Sequence, residues 1–88
     1  HEVELGVVIG MRGRNIRPEH VHRHIAGYFV GVDFCNRILQ GRNKDDGCDW
    51  TMAKGSNQFA AVSDFIHKSA VVDSGNVEIE LKINGETR

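Results

Sequence analysis

Glu2 and Glu4 stand two residues apart in the run Glu2-Val3-Glu4-Leu5-Gly6-Val7-Val8-Ile9, where Val3, Leu5, Val7 and Ile9 share one parity. In a strand that spacing sends both carboxylates from one face, about 6–7 Å apart along the backbone, near enough to converge on one cation. The same spacing recurs at Glu78 and Glu80, where Lys82 continues the row and makes a solvated ladder of opposite charges. Beyond Glu2 and Glu4 the row continues with Gly6 and Val8. These acids therefore border a partly apolar surface, where two negative charges repel and lose hydration unless a cation or donors compensate. A solvated pair and an ion site both fit the spacing, since exposure is the ordinary state of glutamate. Asp33 follows Tyr28-Phe29-Val30-Gly31-Val32. A carboxylate at the end of such a run caps the next helix, pairs with a cation or binds a metal. Glu2, Glu4 and Asp33 together would offer only oxygen ligands, which select a hard ion, magnesium or manganese, over zinc.

Lys54 closes Trp50-Thr51-Met52-Ala53-Lys54 and precedes Gly55. Its ammonium either projects from an apolar stretch toward a site or snorkels to the surface. Arg37 and Gln40, three apart on a helical turn, share a face that is either an exposed pair or a grip on an anion. Arg12, Arg14, Arg17 and Arg23, with His20, His22 and His24, form the one basic cluster. His20 and His24 have the i, i+4 spacing of metal ligands, but no glutamate follows His20 as in a zinc protease, and no cysteine is near. Lacking interleaved aromatics to stack on bases, the cluster reads as a solvated helix face rather than a nucleic-acid surface.

The elements that must position these groups follow from patterning. Eighty-eight residues, 40% apolar and 26% charged, make one small soluble domain at most. A formal charge of −1 gives no global field toward nucleic acid or an anionic membrane. Cys35 and Cys48 lack the count and spacing of a disulfide framework or zinc site, so they are expected as free thiols in a reducing compartment. No run reaches the ~18–20 apolar residues of a membrane span, and no leader is expected. The alternation to Ile9 predicts a strand closed by Gly10 and a polar loop from Met11 to Arg17. Pro18 and Glu19 start a helix that runs to about Ile25 and ends at Gly27. Tyr28–Phe34 is expected as a strand buried on both faces, followed by a helical turn over Asn36–Gln40 and a charged loop over Gly41–Asp49. Phe59–Val62 fits a short strand. Val77, Ile79, Leu81 and Ile83 predict a strand entering a hairpin at Asn84-Gly85. The expected class is α+β, mainly β. Because the first residues already belong to a strand and the chain stops three residues after Gly85, it is expected to be a segment of one larger domain, cut at both ends. Alone, such a segment should neither fold stably nor turn over substrate at an enzyme's rate.

Glu2-Val3-Glu4-Leu5-Gly6-Val7-Val8-Ile9-Gly10, Gly27-Tyr28, Asp33 with Arg37 and Gln40, Trp50-Thr51-Met52-Ala53-Lys54 and the closing Leu81-Lys82-Ile83-Asn84-Gly85-Glu86 lie in one order and spacing. Read together, they resemble the fumarylacetoacetate hydrolase family, most closely its acylpyruvase and oxaloacetate decarboxylase branch. The resemblance covers essentially all 88 residues and implies part of the family's β-roll. It implies magnesium, or manganese, on Glu2, Glu4 and Asp33. It places Lys54 at the substrate oxygens as the catalytic residue, and Arg37 and Gln40 beside the substrate carboxylate. The implied chemistry is hydrolysis of an acylpyruvate or decarboxylation of a 2-oxo acid, with the ion chelating adjacent substrate oxygens and stabilising the enolate that leaves. An isomerase or hydratase of the same family is the alternative, as is a non-catalytic remnant or interaction module. A homodimer and a cytoplasmic or mitochondrial location are implied, with no nucleic-acid or membrane partner. The chain departs from the family pattern at Ile38, where an acid or amide is usual after the arginine, and at Gly55-Ser56-Asn57, where an aromatic and Asp-Thr are usual. It holds neither the family's water-activating lid nor its Thr-Gly-Thr-Pro stretch.

Overall fold

A computed structural model describes all 88 residues, and in it the alternation at the start becomes strand β1, Glu2–Ile9. A 3-10 turn at Pro18–His20 leads into α1, Val21–His24, a single turn of helix. Strand β2, Ile25–Asp33, then runs back antiparallel to β1 with Glu2 opposite Asp33 and Glu4 opposite Gly31. The register slips once, between Val8 and Ile9, so that Ile9 meets Ile25. Helices α2, Arg37–Asp45, and α3, Thr51–Lys54, follow. Two short strands, β3 at Ala60–Val62 and β4 at Ile66–His67, return to the free edge of β2. A separate ribbon of β5, Lys82–Ile83, and β6, Glu86–Thr87, ends the described residues. The class is α+β with strands leading, as the patterning implied.

Several boundaries differ from expectation for identifiable reasons. The helix from Pro18 stops at His24 and Ile25 is already extended, because the His24 carbonyl is taken by the Gly10 and Met11 amides at 2.7 and 3.2 Å. Gly27, expected as a helix stop, sits inside β2. A Cβ there would lie 2.2 Å from the Ile66 carbonyl oxygen and 2.5 Å from the Phe65 ring, so only glycine lets β4 approach. Gly27→Ala is expected to destabilise the protein by about 1–3 kcal/mol through overpacking. A thermal melt unchanged from wild type would contradict that packing.

The turn expected over Asn36–Gln40 continues to Asp45, replacing half of the expected loop. Asn36 Oδ1 accepts from the Leu39 amide at 3.1 Å and starts this helix. Trp50–Lys54, given no element by periodicity, turns into α3 because Asp49 Oδ1 accepts from the Thr51 amide at 2.8 Å. The Thr51 side chain first, and then this amide, hold the Asp49 carboxyl below its ordinary range by hydrogen bonding. The predicted strand over Val77–Ile83 pairs only at Lys82–Ile83, although the hairpin forms, with φ of +53° at Asn84 and +86° at Gly85. Both central residues in the left-handed region give the turn twist that such ribbons need.

Strand β2 is paired on both edges, yet only part of it is covered. Ile25, Gly27, Tyr28 and Gly31 are buried, whereas Val30 is 36% exposed. The expected burial on both faces fails because α1 is one turn long and α2 packs chiefly on α3. Val7 and Ile9 stay exposed for the same reason. Ala53, with no accessible surface, sits in α3 where its carbonyl accepts from the Asn36 amide just before α2.

Candidate metal centre

Opposed places in the β1–β2 ladder bring Glu2 and Asp33 to one face, and Glu4 follows on that face two residues later. One carboxylate oxygen from each of Glu2, Glu4 and Asp33 can be chosen so that the three lie within 4.8 Å of one another. Asp33 is free for this role because Asn36, not Asp33, caps α2.

Lys54 reaches the same place from the end of α3. Its Nζ donates to Asp33 Oδ2 at 2.6 Å and to Glu2 Oε2 at 2.7 Å. The backbone fixes that approach: the Asn36 amide donates to the Ala53 carbonyl at 3.0 Å, tying α3 to the corner between β2 and α2. With a quarter of its side chain accessible, Lys54 is not the snorkelling surface lysine that composition allowed. Arg37 extends the network from the first turn of α2. Its Nη2 donates to Glu2 Oε1 at 2.6 Å and its Nη1 to Gln40 Oε1 at 2.8 Å. All six residues singled out from the sequence, Glu2, Glu4, Asp33, Arg37, Gln40 and Lys54, thus meet at one end of the sheet.

Electrostatics here are those of interlocked opposite charges. The hydrogen bond from Lys54, followed by its charge and by Arg37, outweighs desolvation and holds the Glu2 carboxyl below the ordinary range. Hydrogen bonds to Asp33 and then Glu2 push the Lys54 ammonium above the ordinary lysine range. Glu2 therefore favours the folded state above its unfolded pKa and loses that contribution as pH falls through its folded value. Lys54 contributes fully below its unfolded pKa, and its contribution is lost only as pH rises through the folded one. Both groups are ionised around neutrality.

Two cations face three carboxylates, and none of the five ion pairs of the molecule involves Glu4. One negative charge is left without a partner, and every candidate ligand atom is a carboxylate oxygen. A hard divalent cation suits that donor set.

Two contacts escaped sequence reasoning, Cys35 with Gln40 and Arg37 with Glu2. Cys35 Sγ donates to Gln40 Oε1 at 3.2 Å, so that this oxygen is shared with Arg37. Ile38, whose lack of a polar group left Arg37 without an obvious partner, is 74% exposed. Glu2 and Gln40 orient Arg37 instead. A cysteine two residues before an arginine carries no recognisable signal, and the Arg37–Glu2 pair spans 35 positions, beyond any local pattern.

Comparison with known proteins agrees with this architecture. The sequence family described as fumarylacetoacetate (FAA) hydrolase, C-terminal, matches residues 1–88. The chain belongs to the fumarylacetoacetate hydrolase family. Among its family relatives, the mitochondrial oxaloacetate tautomerase FAHD1 of Arabidopsis thaliana is 42% identical over all 88 residues, which cover 40% of that protein. The mitochondrial oxaloacetate decarboxylase of Dictyostelium discoideum is 36% identical, again over the whole chain and 40% of its own length. A crystal structure of fumarylpyruvate hydrolase from Pseudomonas aeruginosa, in complex with Mn2+ and pyruvate, superposes with a TM-score of 0.88 at 33% identity. That match takes in 99% of this chain and 37% of that one. The chain thus spans about 40% of the length of the curated family members it matches. No helix is long and apolar enough to cross a membrane.

Proposed function

We propose that the chain is the metal-binding segment of an enzyme that cleaves a carbon–carbon bond in a 2-oxo acid, by hydrolysing an acylpyruvate or decarboxylating oxaloacetate. The observation that carries this is the convergence of Glu2, Glu4 and Asp33 with Lys54 donating to two of them. Glu2, Glu4 and Asp33 would hold magnesium, with manganese as the close substitute, a choice supported by the Mn2+ and pyruvate of the Pseudomonas aeruginosa relative. The ion supplies Lewis-acid polarisation of the adjacent oxygens of a 2-oxo acid. Each other task falls to the chain's own groups. Lys54 presents a fixed positive charge, and the one N–H not given to Glu2 or Asp33, where the substrate gains negative charge as it becomes an enolate. Arg37, whose guanidinium has N–H groups beyond those given to Glu2 and Gln40, and Gln40, whose amide nitrogen is unused by the Cys35 and Arg37 contacts, would grip the substrate carboxylate. Residues outside this segment would supply the group that activates water, and the assembled enzyme would be a homodimer, mitochondrial or cytoplasmic.

A second reading has support of its own, the tautomerase named among the relatives. It requires the same enolate but returns a proton to it instead of breaking a bond. Assaying the full-length protein with acetylpyruvate and with oxaloacetate, while following pyruvate release and enol absorbance separately, divides the two. Magnesium-dependent pyruvate release that stops on chelation is the expected result. Enol–keto interconversion without pyruvate would assign the tautomerase, and no turnover of either compound would remove both.

A further inference from the structure

The loop between β1 and α1 holds a second site of opposite charge. Residues 12–23 carry Arg12, Arg14, Arg17 and Arg23 against the single Glu19, in a chain whose formal charge is −1. None of the five ion pairs includes any of these arginines. A cavity of about 330 Å³ is lined by Arg14, Arg17, His20 and His24, with Gly13, Asn15 and Ile16 completing it and no carboxylate among its walls. Its volume is at the lower end of the ~300–1,000 Å³ of small-molecule sites.

The walls are braced. The His24 carbonyl accepts from the Gly10 and Met11 amides at 2.7 and 3.2 Å. His24 Nδ1 lies 3.0 Å from the Met11 carbonyl, which can only accept, so that nitrogen carries the proton. Gly13 packs against the ring so closely that a Cβ would stand 2.6 Å from His24 Cε1. Asn15 takes a left-handed φ of +52°, turning the chain between the two lining arginines. The cavity is at the far end of β1 from Glu2, about 25 Å away at ~3.3 Å per residue, so it is separate from the metal centre.

We propose that this cavity binds a compact oxoanion carrying two negative charges, a phosphate group or a small dicarboxylate. Guanidinium forks pair bidentately with planar or tetrahedral oxyanions, and Arg14 and Arg17 supply two of them on a braced wall. The His20 imidazole can add an N–H donor, whereas the N–H of His24 is committed to the Met11 carbonyl. A nucleic-acid surface would favour large stacking aromatics, and no Phe, Tyr or Trp lines the cavity.

The test is calorimetry on the full-length protein, freed of divalent metal and at low ionic strength, with inorganic phosphate in one arm and malonate in the other. Saturable binding at one site is expected, weakened at least about tenfold by Arg14→Gln and by Arg17→Gln, and weakened by added salt as exposed charges are screened. Tighter phosphate assigns a phosphorylated ligand and tighter malonate a dicarboxylate. On wild-type protein, phosphate should also slow modification of Arg14 and Arg17 by phenylglyoxal, mapped by mass spectrometry, which decides the matter even if a variant fails to fold. No saturable binding, binding indifferent to both arginines, or binding of a single-stranded oligonucleotide alone would overturn the proposal.

Discussion

Lys54→Met in the full-length enzyme is expected to lower turnover on the order of 10²–10³-fold, the scale of losing one preorganised donor at a developing oxyanion. The substitution keeps much of the aliphatic stem and removes the ammonium with its bonds to Glu2 and Asp33. Metal affinity should be held or increased, because the variant takes away a competing cation 2.6 Å from Asp33 Oδ2 and 2.7 Å from Glu2 Oε2. A role confined to bracing Glu2 and Asp33 predicts the opposite pattern, weakened metal binding with a proportionate loss of rate. Measuring kcat at saturating magnesium beside the metal dissociation constant separates the two. Wild-type turnover would show that Lys54 serves the fold alone.

The second large effect is on the ion itself. Asp33→Asn and Glu4→Gln each remove one charged oxygen from a set of three, and each should weaken magnesium or manganese by at least ~10²-fold, beyond the 10–100-fold typical of outer-shell partners. Glu4 is the cleaner probe. It takes part in no ion pair, so its neutral variant leaves the Lys54 and Arg37 contacts in place. Asp33→Asn also strips Lys54 of one acceptor, and some of its effect will come through that lysine.

What the sequence revealed and what it hid follow from the range of each interaction. The period-2 spacing of Glu2 and Glu4 and the apolar run before Asp33 are local, and they located the strands whose pairing sets those acids together. Left open by that spacing was the choice between an ion site and a solvated pair, because it depends on register with a strand some 30 positions away. The second glutamate pair shows the difference: Glu80 pairs with Lys82 at 3.0 Å, exposed, but Glu78 joins no ion pair and neither glutamate lies in a strand, so no ladder forms. The fate of Asp33 also hung on a neighbour, since Asn36 could take the cap and release it. Helix α2 ran past its expected end because its cap and its packing on α3 outweigh an interior Gly41. Strand β5 fell short of its alternation because Val77–Leu81 found no partner strand, and alternation alone does not supply one.

Glu2, Glu4 and Asp33 are proposed to share one divalent ion. Manganese titration of the full-length protein, followed by the loss of the free-ion electron paramagnetic resonance signal, tests it most directly. One tight site per chain is expected, displaced by magnesium and lost in the Glu4→Gln, Asp33→Asn double variant while the thermal melt stays cooperative. Undiminished manganese binding by that double variant would contradict it.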